Sequence, residues 1–382
     1  MAAVFDLREV GEDQNGSVRL MVLGVGGCGC NAITRMIRDQ IKGVEYVAVN
    51  TDHQDFKSCL ATEQVLIGSR VTRNRGTGGN QELGEQAAEE SVNAIEDVIS
   101  GADMLFITAG MGGGTGTGAA PVIARLAKDN GIITVGVVTL PWSYEGAIRA
   151  KRAEDGIRRL RRELDTLIVI PNDRLDSVVG DETNFDEAMG IANGVLSNAV
   201  EGISSIISSP GEINLDFEDV RRVIASGGGA MMGTGVAVGP DRAEEAARQA
   251  ISNELLDNIS IEGAREVLVN IHSSKELRYT EFTKAHRIIA DAVGDNVEVR
   301  IGRSVDEKMG DEIKVTVIAT GFGQMDDDEV EELPLKREQT PFPFSSRRKG
   351  TENLTRSFST GSPGNMSPSD VEIPTFLQRD ID

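Results

Sequence analysis

The sequence predicts an α/β protein: a doubly wound parallel sheet, joined by a long central helix to a smaller mixed α/β domain, with a disordered C-terminal tail. Three observations predict it. Apolar β-branched runs alternate with amphipathic stretches through the first half, and glycine-rich loops follow the runs. From Phe185 to Ser208, Ala188, Ala192, Val195, Leu196, Ala199, Val200, Ile203, Ile206 and Ile207 recur at spacings of three and four, a helix of roughly 35 Å. Beyond Gln324, a charge run over 326–332 gives way to Pro-, Ser- and Thr-rich sequence too polar to build a core.

The elements follow in chain order. Residues 1–16 are polar and read as a flexible N-terminus. Val18–Leu23 reads as the first strand. It leads into Gly24-Val25-Gly26-Gly27-Cys28-Gly29-Cys30-Asn31 and a helix over Ala32–Gln40. Tyr46–Asn50 is the second strand, followed by Thr51-Asp52, and Val65–Ile67 is a short apolar piece. The loop Arg75–Asn80 precedes one long amphipathic helix over 81–100. Met104–Thr108 is a buried strand. After it comes Gly110–Gly118, in which six of nine residues are glycine, then a helix over Ala119–Ala127 with Pro121 near its first turn. Ile132–Leu140 is a strand that ends at Pro141–Gly146. A basic helix over Ala147–Leu164 follows, its Arg158-Arg159 and Arg161-Arg162 pairs reading as a solvated face. Leu167–Ile170 is a strand stopped by Pro171-Asn172-Asp173. After the central helix, strands are predicted at 235–238, 267–271, 297–301 and 313–320, and helices at 242–256 and 279–293. The predicted divisions are 1–16, 17–184, 185–209, 210–323, 324–370 and a docking peptide at 371–382.

The net charge of −22 argues against non-specific nucleic-acid binding and against direct insertion into an anionic membrane. Three cysteines are too few for a disulfide framework and fit a reducing cytoplasm. No apolar run approaches a membrane span, and no secretory signal opens the chain.

Strand, glycine loop, helix start is the arrangement that binds phosphate. Glycines let the backbone approach an anion, and the helix N-terminus adds partial positive charge. The first domain therefore reads as nucleotide-binding. Gly24, Gly26 and Gly29 spell G-x-G-x-x-G with Asp52 about twenty residues on, so an NAD(P)-dependent oxidoreductase is an alternative. The second glycine loop at 110–118 is not needed for that chemistry. A lysine-bearing phosphate loop is absent, which leaves backbone N–H groups, helix dipoles and a bound cation to meet the charge. Asp216 and Asp219 have the spacing of a helix capping box, and that reading stands beside a catalytic one.

Gly112-Gly113-Gly114-Thr115-Gly116-Thr117-Gly118 resembles the G-G-G-T-G-[ST]-G signature of the tubulin superfamily. Gly26–Asn31, Gly76–Asn80, the Pro141–Gly146 turn with Arg149, Pro171-Asn172-Asp173 and Asn214–Asp219 resemble its bacterial cell-division branch. The resemblance spans about 18–322 and resumes at the C-terminal peptide. It implies a GTPase that binds GTP or GDP and polymerises head to tail into a ring at the division site, in the cytoplasm. Gly26, Gly27, Cys28, Gly29, Cys30 and Asn31, with Gly112, Gly113, Gly114, Thr115, Gly116, Thr117 and Gly118, would wrap the phosphates. Gly78 and Asn80 would sit beside the terminal phosphate. Glu145 and Arg149 match ribose- and phosphate-side positions. Asn172 and Asn193 would read ribose and guanine, with Met189 against the base. Asn214, Asp216 and Asp219 match the loop that enters the next subunit's pocket and acts there in trans. No dedicated protein cage for Mg2+ is implied: the ion would be held by phosphates and water, with help from Asp216 and Asp219. Residues 371–379 would dock membrane-tethering and regulatory proteins. The chain departs from the family pattern at Cys28 and Cys30, at Met189, at Trp142-Ser143-Tyr144 and at Gln378. A non-hydrolysing nucleotide-binding scaffold is a further alternative, against which Asp216 and Asp219 argue.

Overall fold

The computed structural model describes residues 18–177, 183–208, 215–227, 229–252, 261, 263–294 and 297–322. The predicted N-terminal arm, tail and docking peptide lie outside the described residues, as does Asn214. The described strands are β1 (Leu20–Val25), β2 (Val44–Asn50), β3 (Glu63–Leu66), β4 (Met104–Gly110), β5 (Ile133–Leu140), β6 (Thr166–Pro171), β7 (Gly229–Ala237), β8 (Glu266–Ser273), β9 (Glu298–Val305) and β10 (Ile313–Phe322). They form one sheet in the order β3-β2-β1-β4-β5-β6-β7-β10-β8-β9. Strands β1 to β6 are all parallel, and β6 meets β7 in parallel at Leu167 and Gly229. Strand β10 is antiparallel to both β7 and β8, and β8 runs parallel to β9. The doubly wound parallel sheet and the smaller mixed α/β half are those that the sequence predicts, and the mixed strands continue the same sheet.

The helices are α1 (Gly26–Arg38), α2 (Ser69–Thr72), α3 (Gln81–Glu90), α4 (Val92–Ile99), α5 (Thr115–Asp129), α6 (Ala147–Arg161), α7 (Phe185–Ser208), α8 (Phe217–Ala225), α9 (Arg242–Ile251) and α10 (Tyr279–Val293). Apolar residues of α3 to α6 fill one face of the parallel strands. The other face is covered by α1, α7 and α8, and that core also takes in Leu268 of β8 and Ile318 of β10. A third core lies between α9, α10 and strands β7 to β10. Helix α7 binds both halves. Its Ser197 hydroxyl donates to Asp39 after α1 at 3.0 Å, and Lys314 of β10 donates to its Asn198 at 3.1 Å. Between α9 and α10, Arg242 and Glu281 form a nearly buried two-point ion pair at 2.9 and 3.2 Å.

Several elements differ from the sequence reading. Helix α1 starts at Gly26, not Ala32, so the glycine loop itself forms the first helical turn. The single helix expected over 81–100 is two, broken at Ser91, whose hydroxyl accepts the Gly68 N–H at 3.0 Å. Helix α5 begins at Thr115, which places Pro121 in the second turn rather than near the first and removes the N–H that would meet the Thr117 carbonyl. Strand β7 begins at Gly229, six residues before the expected start. Its Gly233 and Gly235 let α9 pack directly on the strand, since a Cβ at either would strike the backbone carbonyl of Ala250 or Ala246. Helix α9 ends at Ile251, and 253–260 lie outside the described residues.

His272 on β8 bonds Ser304 of β9 at 2.8 Å. Burial holds its imidazole below the usual pKa, opposed by Glu201 and reinforced by Lys314. As pH falls through the ordinary value of 6.5, the unfolded chain takes the proton first. Stability is therefore full above that pH and declines below it, until the folded form also protonates. The urea midpoint should fall between about pH 7.5 and 5.5, and His272→Asn should flatten that decline. An unchanged slope in the variant would remove His272 as the source.

Candidate functional site

The order 3-2-1-4-5-6 reverses direction between β1 and β4, and ligands of such sheets gather at the carboxyl ends beside that switch point. Both phosphate-type loops lie there. Helix α1 opens directly from β1, and α5 opens after β4. Their N-termini abut: a Cβ on Gly26 would lie 3.1 Å from the Gly116 nitrogen, and Gly26 has φ +74°. Two helix starts thus point their unpaired N–H groups at one place, with no acidic residue in either first turn. A Cβ on Gly116 would meet the Gly110 carbonyl at 2.9 Å, so the loop closes on itself only because the position is bare.

The third glycine loop joins them. Thr115 bonds Thr51 at 2.7 Å and Thr77 at 3.4 Å through its hydroxyl, and a Cβ on Gly114 would run into the Thr77 hydroxyl. The Thr117 hydroxyl accepts the Gly112 N–H at 2.9 Å. Asn80 caps α3, its side chain accepting from Glu82 and Leu83 N–H groups at 2.9 and 3.3 Å. On the other side, Gly112 has φ +91°, and a Cβ there would lie 2.7 Å from the Arg149 carbonyl. The first turn of α6 therefore rests on the signature loop. Arg149 pairs with Glu145 at 2.7 Å, and Glu145 also accepts the Trp142 N–H at 3.0 Å. Trp142 and Tyr144 stack at 5.7 Å between centroids.

The two cysteines of the first glycine loop bring no negative charge here, since burial also raises the Cys28 thiol. A hydrogen bond shared with Cys59, together with burial, pushes the Cys30 thiol far above its usual range. Cys28 contacts the Thr139 hydroxyl at 3.8 Å. Asn172, at the end of β6, is buried, and its Oδ1 has no hydrogen-bond partner. A buried acceptor left without a donor costs stability unless a ligand supplies one. Met189 and Asn193 lie one turn apart on α7, both half-buried.

Asp216 and Asp219 open α8 with a full capping box. Asp216 accepts the Asp219 N–H at 2.7 Å, and Asp219 accepts the Asp216 N–H at 3.3 Å. Asp219 also pairs with Arg300 of β9. These bonds run to each other and to the last strand of the sheet, not to a glycine loop. Strand β9 is six places from β4, roughly 29 Å at strand spacing.

Sequence reasoning missed Thr51, Thr77, Asn50 and Asp55 as builders of the site. Asn50 bonds Asp55 at 2.8 Å, and a Cβ on Gly27 would lie 3.1 Å from the Asp55 carboxylate. The position of Asn50-Thr51 at the end of β2 was the available signal. Asp52, the acid expected to hold a ribose in the oxidoreductase reading, instead accepts the Gln54 N–H at 2.8 Å and faces Gly76. Among the described residues, no cluster of three or more His, Cys, Asp or Glu side chains could hold a metal ion, and no helix is long and apolar enough to cross a membrane.

A doubly wound sheet with glycine loops after both β1 and β4, a capped acidic helix and a mixed second half defines a tubulin-like GTPase. The comparisons carry this to a family. The Tubulin/FtsZ family GTPase-domain model matches residues 19–180, and the FtsZ family C-terminal-domain model matches 228–323. The chain belongs to the Tubulin/FtsZ family and is a guanine-nucleotide-binding GTPase of its cell-division branch. It is 49% identical over 304 residues to cell division protein FtsZ of Wigglesworthia glossinidia brevipalpis, covering 80% of this chain and 79% of that one. It is 42% identical over 381 residues to that of Pseudomonas aeruginosa, covering 95% and 97%. An empty FtsZ dimer from M. jannaschii superposes with a TM-score of 0.76 at 40% identity, covering 81% and 89% of the two chains. A GTPγS-bound protofilament of CetZ2 from Haloferax volcanii superposes at 0.69 and 25%, covering 80% and 94%. Nothing among these supports the oxidoreductase alternative.

Proposed function

We propose that this chain polymerises head to tail when it binds GTP, forms the ring that divides the cell, and hydrolyses GTP where two subunits meet. One observation carries the reading. The phosphate cradle at the β1/β4 switch point has helix N-termini but no lysine and no carboxylate in the first turn of either helix, while a capped pair of carboxylates sits at the other end of the sheet. Neither half suffices for phosphoryl transfer, which needs positioning and charge stabilisation together. A head-to-tail contact brings them together.

In this reading the unpaired N–H groups in the first turns of α1 and α5 donate to the phosphates. The rest of Gly26–Asn31 and Gly112–Gly118 shapes the wrap around them, with the Gly112 and Gly118 N–H groups going to the Thr117 hydroxyl and the Gly114 carbonyl. Gly78 and Asn80 border the terminal phosphate. Glu145 and Arg149 face the ribose and phosphate side. The unpartnered Oδ1 of Asn172 accepts a hydrogen bond from a ribose hydroxyl, and Asn193 and Met189 take the base. Asn214, Asp216 and Asp219 serve the next subunit's GTP, where a carboxylate orients the attacking water and accepts its proton. The donor set suits Mg2+ held chiefly by phosphates and water, since the described residues offer no cage and the two carboxylates of α8 are partly taken up by their capping box. That ion would neutralise charge on the phosphates. The division into 17–184, 185–209 and 210–323 accompanies this reading, as does a docking role for 371–379 toward membrane tethers at midcell.

GTP hydrolysis measured against protein concentration, with polymer sedimented from the same tubes, tests the proposal. The rate per subunit should rise with concentration and follow the polymer. A rate per subunit that is constant with dilution would remove the shared site.

A further inference from the structure

Asp219 is held on both sides. Its Oδ2 accepts the Asp216 N–H at 3.3 Å, and its Oδ1 accepts from Arg300 Nη1. Arg300 stands on β9 and also donates from Nη2 to Glu298 at 2.7 Å. Its side chain is only 13% exposed, and its Nε is buried with no acceptor. An arginine so placed is a poor choice for stability. It gives up hydration, and it leaves one donor orphaned. An apolar side chain of similar volume would avoid both costs.

What the arginine does supply is aim and charge. The N-cap and first turn of α8 and the neighbouring strand carry four carboxylates: Asp216, Glu218, Asp219 and Glu298. In the head-to-tail contact they would approach a polyphosphate. Unpaired, they would be repelled, and a carboxylate free to rotate would hold water in no fixed direction. Arg300 offsets part of that charge. It also fixes one oxygen of Asp219, while each oxygen keeps a further lone-pair direction for a water or a cation.

We propose that Arg300 is a positioning residue for GTP hydrolysis, acting in trans through the Asp219 carboxylate that it orients. This rests on the reading of Asp219 as the carboxylate that serves the neighbouring subunit's GTP.

The test compares Arg300→Ala, Arg300→Met, Arg300→Lys, Asp219→Ala and the Asp219→Ala/Arg300→Ala double variant. GTP affinity is measured in dilute, unpolymerised protein, and kcat and sedimentable polymer at saturating GTP. Arg300→Ala and Arg300→Met should each lower kcat about fivefold to tenfold, with monomer GTP affinity unchanged. Lysine should recover part of the loss, because one ammonium cannot serve Asp219 and Glu298 with a planar fork. The double variant should be no slower than Asp219→Ala alone, since Arg300 has then nothing to aim. A purely structural role would not give that coupling. Arg300→Ala at the wild-type rate beside a slow Asp219→Ala would overturn this inference alone. Additive losses in the double variant would overturn it as well, as would loss of GTP binding in both Arg300→Ala and Arg300→Met. Asp219→Ala at the wild-type rate would instead remove the reading beneath it.

Discussion

Asp219→Ala is expected to bind GTP as the unaltered chain does and to hydrolyse it about a hundredfold or more slowly, the range for loss of a proton-accepting group. Binding should survive because Asp219 lies on α8, and its hydrogen bonds run to Asp216 and Arg300. The complication is the capping box. Asp219 accepts the Asp216 N–H, so alanine also loosens the start of α8, a loss of about 1 kcal/mol. Asp219→Asn separates the two roles. Its amide oxygen can still accept that N–H, whereas the charge is gone. Turnover should stay low in asparagine, and the urea midpoint should recover the cap's share of the loss but not that of the Arg300 ion pair, since the amide NH2 then faces the guanidinium. If asparagine restores turnover along with stability, Asp219 is a cap and nothing more. Mixing Asp219→Ala with unaltered subunits adds a second check, since a site shared across the contact makes the mixture's rate fall out of proportion to the variant's share.

Gly113→Val should weaken GTP binding about tenfold or more while the fold stays intact, by the cost of forcing a side chain into an occupied space. Among the glycines of the signature loop, Gly113 is the one with room: the nearest atom to an added Cβ is the Gly110 carbonyl, at 4.0 Å. Its neighbours are different. At Gly114 a Cβ meets Thr77, at Gly116 the Gly110 carbonyl, and at Gly118 the backbone of α3. Those bare positions are required by the fold itself, and substitution there would confuse lost binding with lost structure. Gly113 is bare without such a need, which is what a ligand pressed against the backbone would impose. Calorimetric GTP affinity and the thermal midpoint, taken on the same preparation, decide it. Affinity unchanged beside an unchanged midpoint would mean that no phosphate lies against this turn.

The sequence by itself determined the class of fold and the whereabouts of the phosphate cradle. Period-two apolar runs and period-three-to-four apolar faces reflect burial, and burial is written locally in side-chain type. Thus α7 and α10 fall on their predicted bounds, and the glycine loops stand at strand ends as expected. The capping box of α8 was legible for the same reason, since a cap needs only residues three apart.

What only the tertiary structure decided depends on partners far apart in the chain. The amphipathic pattern runs on through Ser91, yet the helix breaks there, at the residue whose hydroxyl accepts the N–H of Gly68, 23 residues earlier. Helix α1 begins inside the glycine loop because Gly24 and Gly29 pack backbone to backbone, which no propensity records. The hydroxyl knot of Thr51, Thr77 and Thr115 joins three loops, and threonine is too common to announce it. Arg300 meets Asp219 across 81 residues through the crossover that brings β9 beside α8. Spacing in sequence holds no information about such pairs. The last of them exists because the sheet order β7-β10-β8-β9 departs from chain order, and that order is set by how the layers pack as a whole.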